Sequence, residues 1–138
     1  MTRYVRCARG EDHWGPWGAA GLWLRCGDLV LMQHRANWTH HGGTWGIPGG
    51  ARGRAETAIE AALREASEET RLSLHEVEIE REHVDDHGGW SYVTVIAFCP
   101  TPLRVRGGIE GEVRWVPLVE ARALLLHPGL ASSWGALT

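Results

Sequence analysis

Three glutamates in one short segment have the types and spacing to do chemistry together. Glu65, Glu68 and Glu69 lie in an Ala-rich stretch of strong helix-forming residues. At about 100° per residue, a helix places all three carboxylates on one face. Like charges at i, i+3 and i, i+4 repel by a few tenths of a kcal/mol per pair, which a bound cation would offset. Mg²⁺ prefers oxygen ligands, so these carboxylates could bind a metal ion. For the three glutamates alone, a solvated acidic helix face is the more usual interpretation, and their position in the chain decides between the two.

A glycine-rich loop leads directly into this helix. Its last residues, Gly49 and Gly50, let the backbone approach a ligand closely and adopt positive φ. Apolar residues recur in the helix at i, i+3, i+4 and i+7, which predicts a stripe docked on a core: Ile59, Ala62, Leu63 and Ala66. The glutamate face lies roughly 120° around the helix from this stripe, so it remains accessible to a ligand.

The spacing from the glycine loop to the end of the helix resembles the Nudix box. That pattern is Gly, five residues, Glu, seven residues, Arg-Glu, an apolar residue, any residue, Glu-Glu, any residue, Gly and an apolar residue. This chain matches it at Gly50, Glu56, Arg64, Glu65, Glu68, Glu69 and Leu72. The lead-in Trp-Gly-Ile-Pro-Gly-Gly over 45–50 is also similar to the family's, and the departure is Arg71 in place of the box Gly.

The resemblance is to the Nudix hydrolase family, in its MutT-like branch, and it implies a fold. The expected class is α/β, a Nudix-type α/β/α sandwich with a mixed β-sheet and a loop–helix–loop metal site. One Nudix hydrolase domain would cover residues 1–138, with 1–17 as a lead-in segment that could begin with a short strand.

The resemblance also implies roles for individual residues. Glu65, Glu68 and Glu69 would be metal ligands or the general base, and the Gly49 carbonyl an additional metal ligand. Arg64 would orient Glu65, and Glu56 would brace the loop. In relatives, a Glu from the loop before the late strand completes the metal site or activates water. Here Glu110 is preferred to Glu112 for that role, with an exposed acidic loop as the alternative.

Candidate substrate contacts lie outside the helix as well. Arg35 is placed to bind a phosphate or is an ordinary surface arginine, and Gly50 would approach the substrate through its backbone. Trp134 either stacks on a base or packs in the core. The segment Asp85-Asp86-His87-Gly88-Gly89 either shapes the substrate rim or is only a turn. Adjacent His40 and His41 lack a third partner at a recognisable spacing, which disfavours a zinc site there.

The implied reaction is Mg²⁺-dependent attack of water on a pyrophosphate linkage, with Mn²⁺ as the alternative ion. The substrate would be a nucleoside triphosphate, including oxidised ones such as 8-oxo-dGTP, or a nucleoside diphosphate derivative. ADP-ribose and nucleotide sugars are the next candidates. A non-catalytic nucleotide sensor would be expected to have lost carboxylates that this chain keeps. An isoprenoid diphosphate isomerase would need a cysteine in the pocket.

Composition bounds these hypotheses. A length of 138 residues with 43% hydrophobic and 22% charged residues is typical of one globular domain. The net charge of −3 favours neither a nucleic acid polymer nor a membrane as partner, so the expected partner is a small nucleotide. Three cysteines without a Cys-x-x-Cys pair indicate neither a disulfide framework nor a zinc ribbon. We expect a cytoplasmic protein, since no signal-peptide or transmembrane pattern is present. The expected oligomeric state is a monomer or a homodimer.

The remaining elements follow from periodicity and turn residues. Residues 19–25 and 29–34 form a predicted hairpin, and the apolar run 29–32 predicts a strand covered on both faces. Two more strands are predicted at 77–84 and 90–99. Residues 110–117 resemble the late Nudix strand, entered through an acidic loop. A helix over 118–126 would bury Val119, Ala123 and Leu126 and stop at His127-Pro128-Gly129. For Arg71 we expect the helix to end without a left-handed residue, the strained alternative being αL.

Overall fold

The computed structural model describes residues 4–138. In chain order the strands are β1 (Tyr4–Arg6), β2 (Asp12–Trp14), β3 (Ala19–Cys26), β4 (Leu29–Arg35), β5 (Trp45–Gly46), β6 (Gly49–Ala51), β7 (Glu78–Asp86), β8 (Ser91–Phe98) and β9 (Gly111–Pro117). Helix α1 (Ala58–Thr70) lies between β6 and β7, followed by a 3₁₀ turn, Leu74–Glu76. Helices α2 (Leu118–Ala121) and α3 (Pro128–Leu137) close the chain.

A seven-stranded mixed sheet is the centre of the fold. The predicted hairpin is confirmed, because β3 and β4 pair antiparallel beside their turn, with Arg25 opposite Val30. Strand β4 then leaves β3 and pairs along its length with β9, while β3 pairs with β6 on the same side. On its other side β3 runs parallel to β8, and β7 completes the sheet. β1 and β2 form a separate two-stranded ribbon within the lead-in segment.

Two hydrophobic clusters cover the two faces of this sheet, which confirms the α/β/α sandwich. One joins β3 and β8 to helix α1, and it contains Leu31 from β4. The other joins the same strands to α2 and α3, and it contains Val30 and Met32 from β4. The run 29–32 is therefore covered on both faces, as its continuous apolar character predicted.

Helix α1 begins at a capping box. The Thr57 side chain accepts from the Glu60 N–H at 3.1 Å, and the Glu60 carboxylate accepts from the Thr57 N–H at 2.9 Å. The buried face differs slightly from the predicted stripe. Ala62 and Ala66 are fully buried as expected, but Ile59 and Leu63 are only partly buried. Small side chains, Ala58 and Ala61 among them, face the sheet because they let the helix lie close to β3.

The helix ends in a left-handed residue, so the expectation for Arg71 was wrong. Arg71 has φ 60° and ψ 20°, and its N–H donates to the Ser67 carbonyl. The Thr70 hydroxyl accepts from the Leu72 N–H at 3.2 Å, and Leu72 is buried. Anchoring of Leu72 in the core requires the αL turn whatever residue occupies position 71.

Replacing Arg71 by glycine should therefore stabilise the protein by about 1 kcal/mol. The strain of a non-Gly residue in αL, about 1–2 kcal/mol, is relieved, and the greater freedom of glycine in the unfolded chain offsets part of the gain. Chemical denaturation measures the difference. Ser73→Gly is the control, because Ser73 has φ −84° and glycine there should destabilise. Equal effects of the two substitutions would contradict the prediction.

The C-terminal region differs from the predicted single helix. Helix α2 is one turn long, Val119 and Ala123 are exposed, and Ala121 is the fully buried residue. His127-Pro128-Gly129 begins a helix and does not stop one: the His127 Nδ1 accepts from the Gly129 N–H at 3.0 Å, and Pro128 takes the first helical position. Proline suits that position because the first N–H of a helix has no internal partner.

The predicted strand pair after α1 is confirmed with shifted bounds. Asp85 and Asp86 belong to β7 and pair with Tyr92 and Ser91, so the turn starts at His87 and not at Asp85. Strand β7 is mostly exposed on both faces, although apolar and charged residues alternate over 77–84 as in a strand with one exposed face. It is the edge strand of the sheet, and little of the chain covers it. Within residues 4–138, every helix is too short or too polar to cross a membrane.

Candidate active site

Glu65 and Glu69 lie against the glycine-rich strand β6. The Glu69 Oε1 accepts from the Gly49 N–H at 2.9 Å. The Glu65 carboxylate packs against Gly50 so closely that a Cβ at position 50 would meet its oxygens at 2.7 Å. Gly50 is therefore required by the approach of a carboxylate to the backbone, which is a structural reason for the glycine that opens the box.

Arg64 connects the helix to the loop through a network of charge-assisted hydrogen bonds. Its Nε and Nη2 donate to the Glu56 carboxylate at 2.7 and 2.9 Å, and Nη2 also donates to the Ala51 carbonyl. Its Nη1 donates to Glu65 Oε1 at 2.9 Å. The two hydrogen bonds from Arg64 lower the pKa of Glu56 to about 2. A single arginine thus fixes both the loop and one carboxylate of the helix.

The carboxylates of the site repel one another strongly. Burial, followed by a hydrogen bond with Glu110, raises the pKa of Glu69 to about 9. Burial also raises the pKa of Glu65, against the effect of Arg64. Glu110, on the loop before β9, is therefore brought next to Glu69, whereas Glu112 pairs with Arg114 on the strand. Glu68 is exposed, with Arg64 Nη1 3.4 Å from its Oε1.

This group of oxygens suits a divalent cation. Glu65 and Glu69 are half-buried and their pKa values are raised, mainly by that burial, while Arg64 is largely engaged by Glu56. Two positive charges among Glu65, Glu69 and Glu110 would relieve that repulsion and allow ionisation. Hard oxygen donors are the ligands that Mg²⁺ and Mn²⁺ accept.

A cavity of about 720 Å³ opens beside these residues. Gly49 and Gly50 line it on the carboxylate side, and Arg35 lines it with its Nε bonded to the His40 carbonyl at 2.9 Å. The size lies within the usual range for small-molecule sites. The glycine loop therefore adjoins a space large enough for a nucleotide, and Glu65 and Glu69 contact that loop without lining the cavity themselves.

Aromatic residues that the sequence did not single out form another wall of the cavity. Trp14 and His13 come from the ribbon, and Trp90 and Tyr92 from β8 and the turn before it. Asp85 and His87 also line it, which places the predicted turn segment at the rim. Single aromatic residues in a lead-in segment carry no spacing signal, so only Asp85 and His87 could have been found from the sequence.

Trp134 does not line this cavity. Its ring packs edge-on against Trp23, at a centroid distance of 5.2 Å, in the cluster beneath α3. Trp134 is therefore not placed to stack on a base in this cavity, and it packs in the core, which was the alternative prediction. The physical reason is that α3 turns its partly apolar face toward Trp23, which is fully buried in the sheet.

A family model describing the NUDIX domain matches residues 16–134 of the chain. The chain belongs to the Nudix family. Divalent metal ions are general in this family, in agreement with the carboxylate group. The matched region contains the whole box, the cavity wall formed by β8 and the loop that carries Glu110.

Similar proteins agree with this membership. A Mycobacterium tuberculosis protein with the provisional name 8-oxo-dGTP diphosphatase 3 is 44% identical over 93% of this Nudix chain. A Bifidobacterium longum protein named as a nucleoside triphosphate pyrophosphatase/Nudix hydrolase fusion is 39% identical over 95%. This chain spans 64% of the length of the first relative and 30% of the second.

A solved Nudix structure is also similar along nearly the whole chain. The crystal structure of RenU, a Nudix hydrolase from M. smegmatis, superposes with a TM-score of 0.89 at 42% identity. The match covers 97% of this chain and 91% of RenU. Most of the lead-in segment lies outside the family model, and the similarity to RenU largely includes it.

His127 lines the cavity, and its lowered pKa makes the stability of the fold depend on pH in the acidic range. Burial, together with His41 and Arg35, lowers the pKa of His127 from 6.5 to about 4. As the pH falls, His127 is protonated near pH 6.5 in the unfolded chain but only near pH 4 in the folded protein. Protonation therefore favours the unfolded state, and the free energy of unfolding decreases as the pH falls from about 6.5 to about 4. His127→Asn keeps a cap acceptor and does not titrate, so we expect a smaller loss of stability in that window.

Chemical denaturation of His127→Asn and the parent protein at neutral pH and near pH 5 measures this difference. His75→Asn, a substitution in the exposed 3₁₀ turn, is the matched control. Parallel stability curves for the parent protein and His127→Asn would show that His127 is not the acid-sensitive group.

Proposed function

We propose that this chain hydrolyses a pyrophosphate linkage in a nucleoside triphosphate or a nucleoside diphosphate derivative, with Mg²⁺ as the cofactor. The observation that carries the proposal is one cavity lined by two unlike sets of residues. Gly49 and Gly50, backed by buried carboxylates, suit a phosphate chain with its cations, and Trp14 and Trp90 suit a base. The names of the relatives support hydrolysis of a phosphoric anhydride.

Residues of the chain would share the work in a defined way. Bound Mg²⁺ would supply neutralisation of the phosphate oxygens and a more acidic water. Glu65, Glu68, Glu69 and Glu110, with the Gly49 carbonyl, are the proposed oxygen ligands. Arg64 holds Glu65 in position, and Arg35 on the cavity wall would bind a phosphate. Gly50, whose Cβ position faces Glu65, would contact the phosphate chain through its backbone.

The proton of the attacking water must be accepted by one of the carboxylates. Glu69 and Glu110 are neighbours, so one of this pair would be the general base. Water attacks one phosphorus, the bond from that phosphorus to the bridging oxygen breaks, and the leaving phosphate takes that oxygen. Cleavage between the α and β phosphorus of a triphosphate gives a nucleoside monophosphate and pyrophosphate.

The product pattern tests the proposal. We expect dGTP and 8-oxo-dGTP to yield monophosphate and pyrophosphate, separated by ion-exchange chromatography, with no orthophosphate unless pyrophosphatase is added. ADP-ribose and a nucleotide sugar complete the panel as the alternative substrates. A Glu69→Gln preparation controls for contaminating phosphatase. Direct release of orthophosphate by the parent protein, or binding of every nucleotide without turnover, would overturn the assignment and in the second case favour a sensor.

A further inference from the structure

A second group of metal-ligating side chains lies between the N-terminal ribbon and the turn from β7 to β8. Cys7, Glu11, His13 and His87 each offer one ligand atom, and these four atoms all lie within 4.8 Å of one another. None of them belongs to the Nudix box. Cys7 is buried, and the Cys7 N–H donates to the Glu11 carbonyl at 2.9 Å, which holds the turn of the ribbon closed.

The two histidines are oriented as metal ligands would be. The Nδ1 of His87 lies 3.2 Å from the Nε2 of His13 and 3.5 Å from the Oε1 of Glu11. The other ring nitrogen of His87, Nε2, lies 2.9 Å from the Oδ2 of Asp85. A carboxylate on the far nitrogen fixes the tautomer and orientation of a metal-binding histidine and makes it more basic. Asp85 supplies that outer contact here.

The ligands are held in place before any ion binds. The His13 ring stacks on Trp90 at 3.7 Å with an interplanar angle of 5°, and the Trp90 Nε1 donates to the Gly15 carbonyl at 3.1 Å. The ribbon joins the turn through the Ala8 N–H, which lies 3.0 Å from the His87 carbonyl. A Cβ at Gly88 would meet the Ala8 Cβ at 2.5 Å, so glycine is needed for this approach.

The dimensions and chemistry of the group favour zinc. Tetrahedral Zn²⁺ with bonds of about 2.0–2.3 Å places its ligand atoms roughly 3.3–3.8 Å apart. The contacts of His87 with His13 and Glu11 are already close to that range, and the largest separation of 4.8 Å requires a shift of about 1 Å. One thiolate, two imidazoles and one carboxylate suit a borderline-soft ion, whereas Mg²⁺ prefers oxygen alone.

We propose that Cys7, Glu11, His13 and His87 bind one zinc ion, separately from the carboxylates of the Nudix box. Binding releases the thiol proton of Cys7 to solvent. Because His87 donates to Asp85 through Nε2, its Nδ1 accepts a proton from the His13 Nε2 in the metal-free protein. When the ion takes the His13 Nε2, that ring carries its proton on Nδ1 instead. Two-stranded ribbons are marginally stable alone, so the ion fastens β1 and β2 to the sheet. Three of the ligands line the substrate cavity, and the ion therefore fixes one wall of it.

Cobalt substitution in the full chain tests this site without any use of turnover. The metal-free protein titrated with Co²⁺ in the presence of Mg²⁺ should bind one equivalent, with tetrahedral d–d bands and a thiolate charge-transfer band. Zn²⁺ should displace the cobalt and raise the Tm. Cys7→Ser should lose the charge-transfer band, and Cys99→Ser, which changes another buried thiol, should keep it. Asp85→Asn should weaken zinc affinity by about 10- to 100-fold.

A second measurement covers the case in which Cys7→Ser fails to fold. Zinc should slow alkylation of Cys7 in the parent protein, mapped by peptide mass spectrometry, and Mg²⁺ should not. A cobalt complex without a thiolate band, a band retained in Cys7→Ser, or alkylation of Cys7 unaffected by zinc would each overturn the proposal. These outcomes leave the hydrolysis of nucleotides untouched, so failure of one inference is distinguishable from failure of the other.

Discussion

Glu69→Gln should remove most of the hydrolytic activity, by about 10²- to 10⁴-fold, without loss of stability. Glutamine keeps the acceptor for the Gly49 N–H but cannot bind a proton from water or neutralise a cation. Partial burial and the neighbouring Glu110 raise the pKa of Glu69 to about 9, so the metal-free fold should be as stable as before or more stable. Loss of activity with retained or increased stability is the pattern expected of a functional carboxylate.

Steady-state kinetics and chemical denaturation in the absence of metal measure the two effects of Glu69→Gln. Glu68→Gln should also reduce activity, although Glu68 is more exposed than Glu69. Glu120→Gln is the matched control, because Glu120 is an exposed carboxylate in α2. Parent-level turnover in both Glu68→Gln and Glu69→Gln would mean that the three glutamates are a solvated face and that the chemistry lies elsewhere.

Arg64→Ala should reduce both activity and stability. The guanidinium makes hydrogen bonds to Glu56, Glu65 and the Ala51 carbonyl. Its removal takes the arginine partner from two partly buried carboxylates and leaves Glu56 with the Gly53 N–H alone. We expect a loss of about 1–3 kcal/mol, below the value for a fully buried pair because the Arg64 side chain is 38% exposed. Activity should fall by about 10- to 100-fold, as for other residues that orient metal ligands.

A conservative replacement separates charge from geometry at this position. Arg64→Lys keeps the positive charge but cannot contact two carboxylates and a carbonyl with one planar group. Compared with Arg64→Ala, the Arg64→Lys protein should regain part of the lost stability and little of the lost activity. Arg122→Ala, at an exposed position after α2, controls for the loss of a surface charge. Full activity in Arg64→Lys would show that only the charge of Arg64 is needed.

Much of the site could be predicted because its central part is local. Glu65, Glu68 and Glu69 belong to one helix, so their spacing alone places them together. The capping box at Thr57 and Glu60 is likewise local, as is the hairpin that joins β3 to β4. In each case the geometry depends on residues a few positions apart, and the same spacing in a helix or turn leads to the same arrangement.

Other features depended on contacts that no local pattern records. Arg71 adopts αL because burial of Leu72 requires the turn, although its own preference is against it. Trp134 packs on Trp23, more than 100 residues earlier in the chain, and the base-stacking alternative could be rejected only when α3 was seen to lie on the sheet. The start of α3 at His127 was missed because the same Pro-Gly pair can end one helix or begin another.

The sequence by itself determined the family and predicted the helix proposed to bind metal, because the box is one continuous segment with fixed spacing. Only the tertiary structure decided what surrounds that segment. The pairing of Glu110 with Glu69 joins residues far apart in the chain, and the contact between His13 and His87 spans 74 positions. Such contacts form only when the folded sheet brings together loops that are distant in the chain. The position of those loops depends on the packing of the whole core.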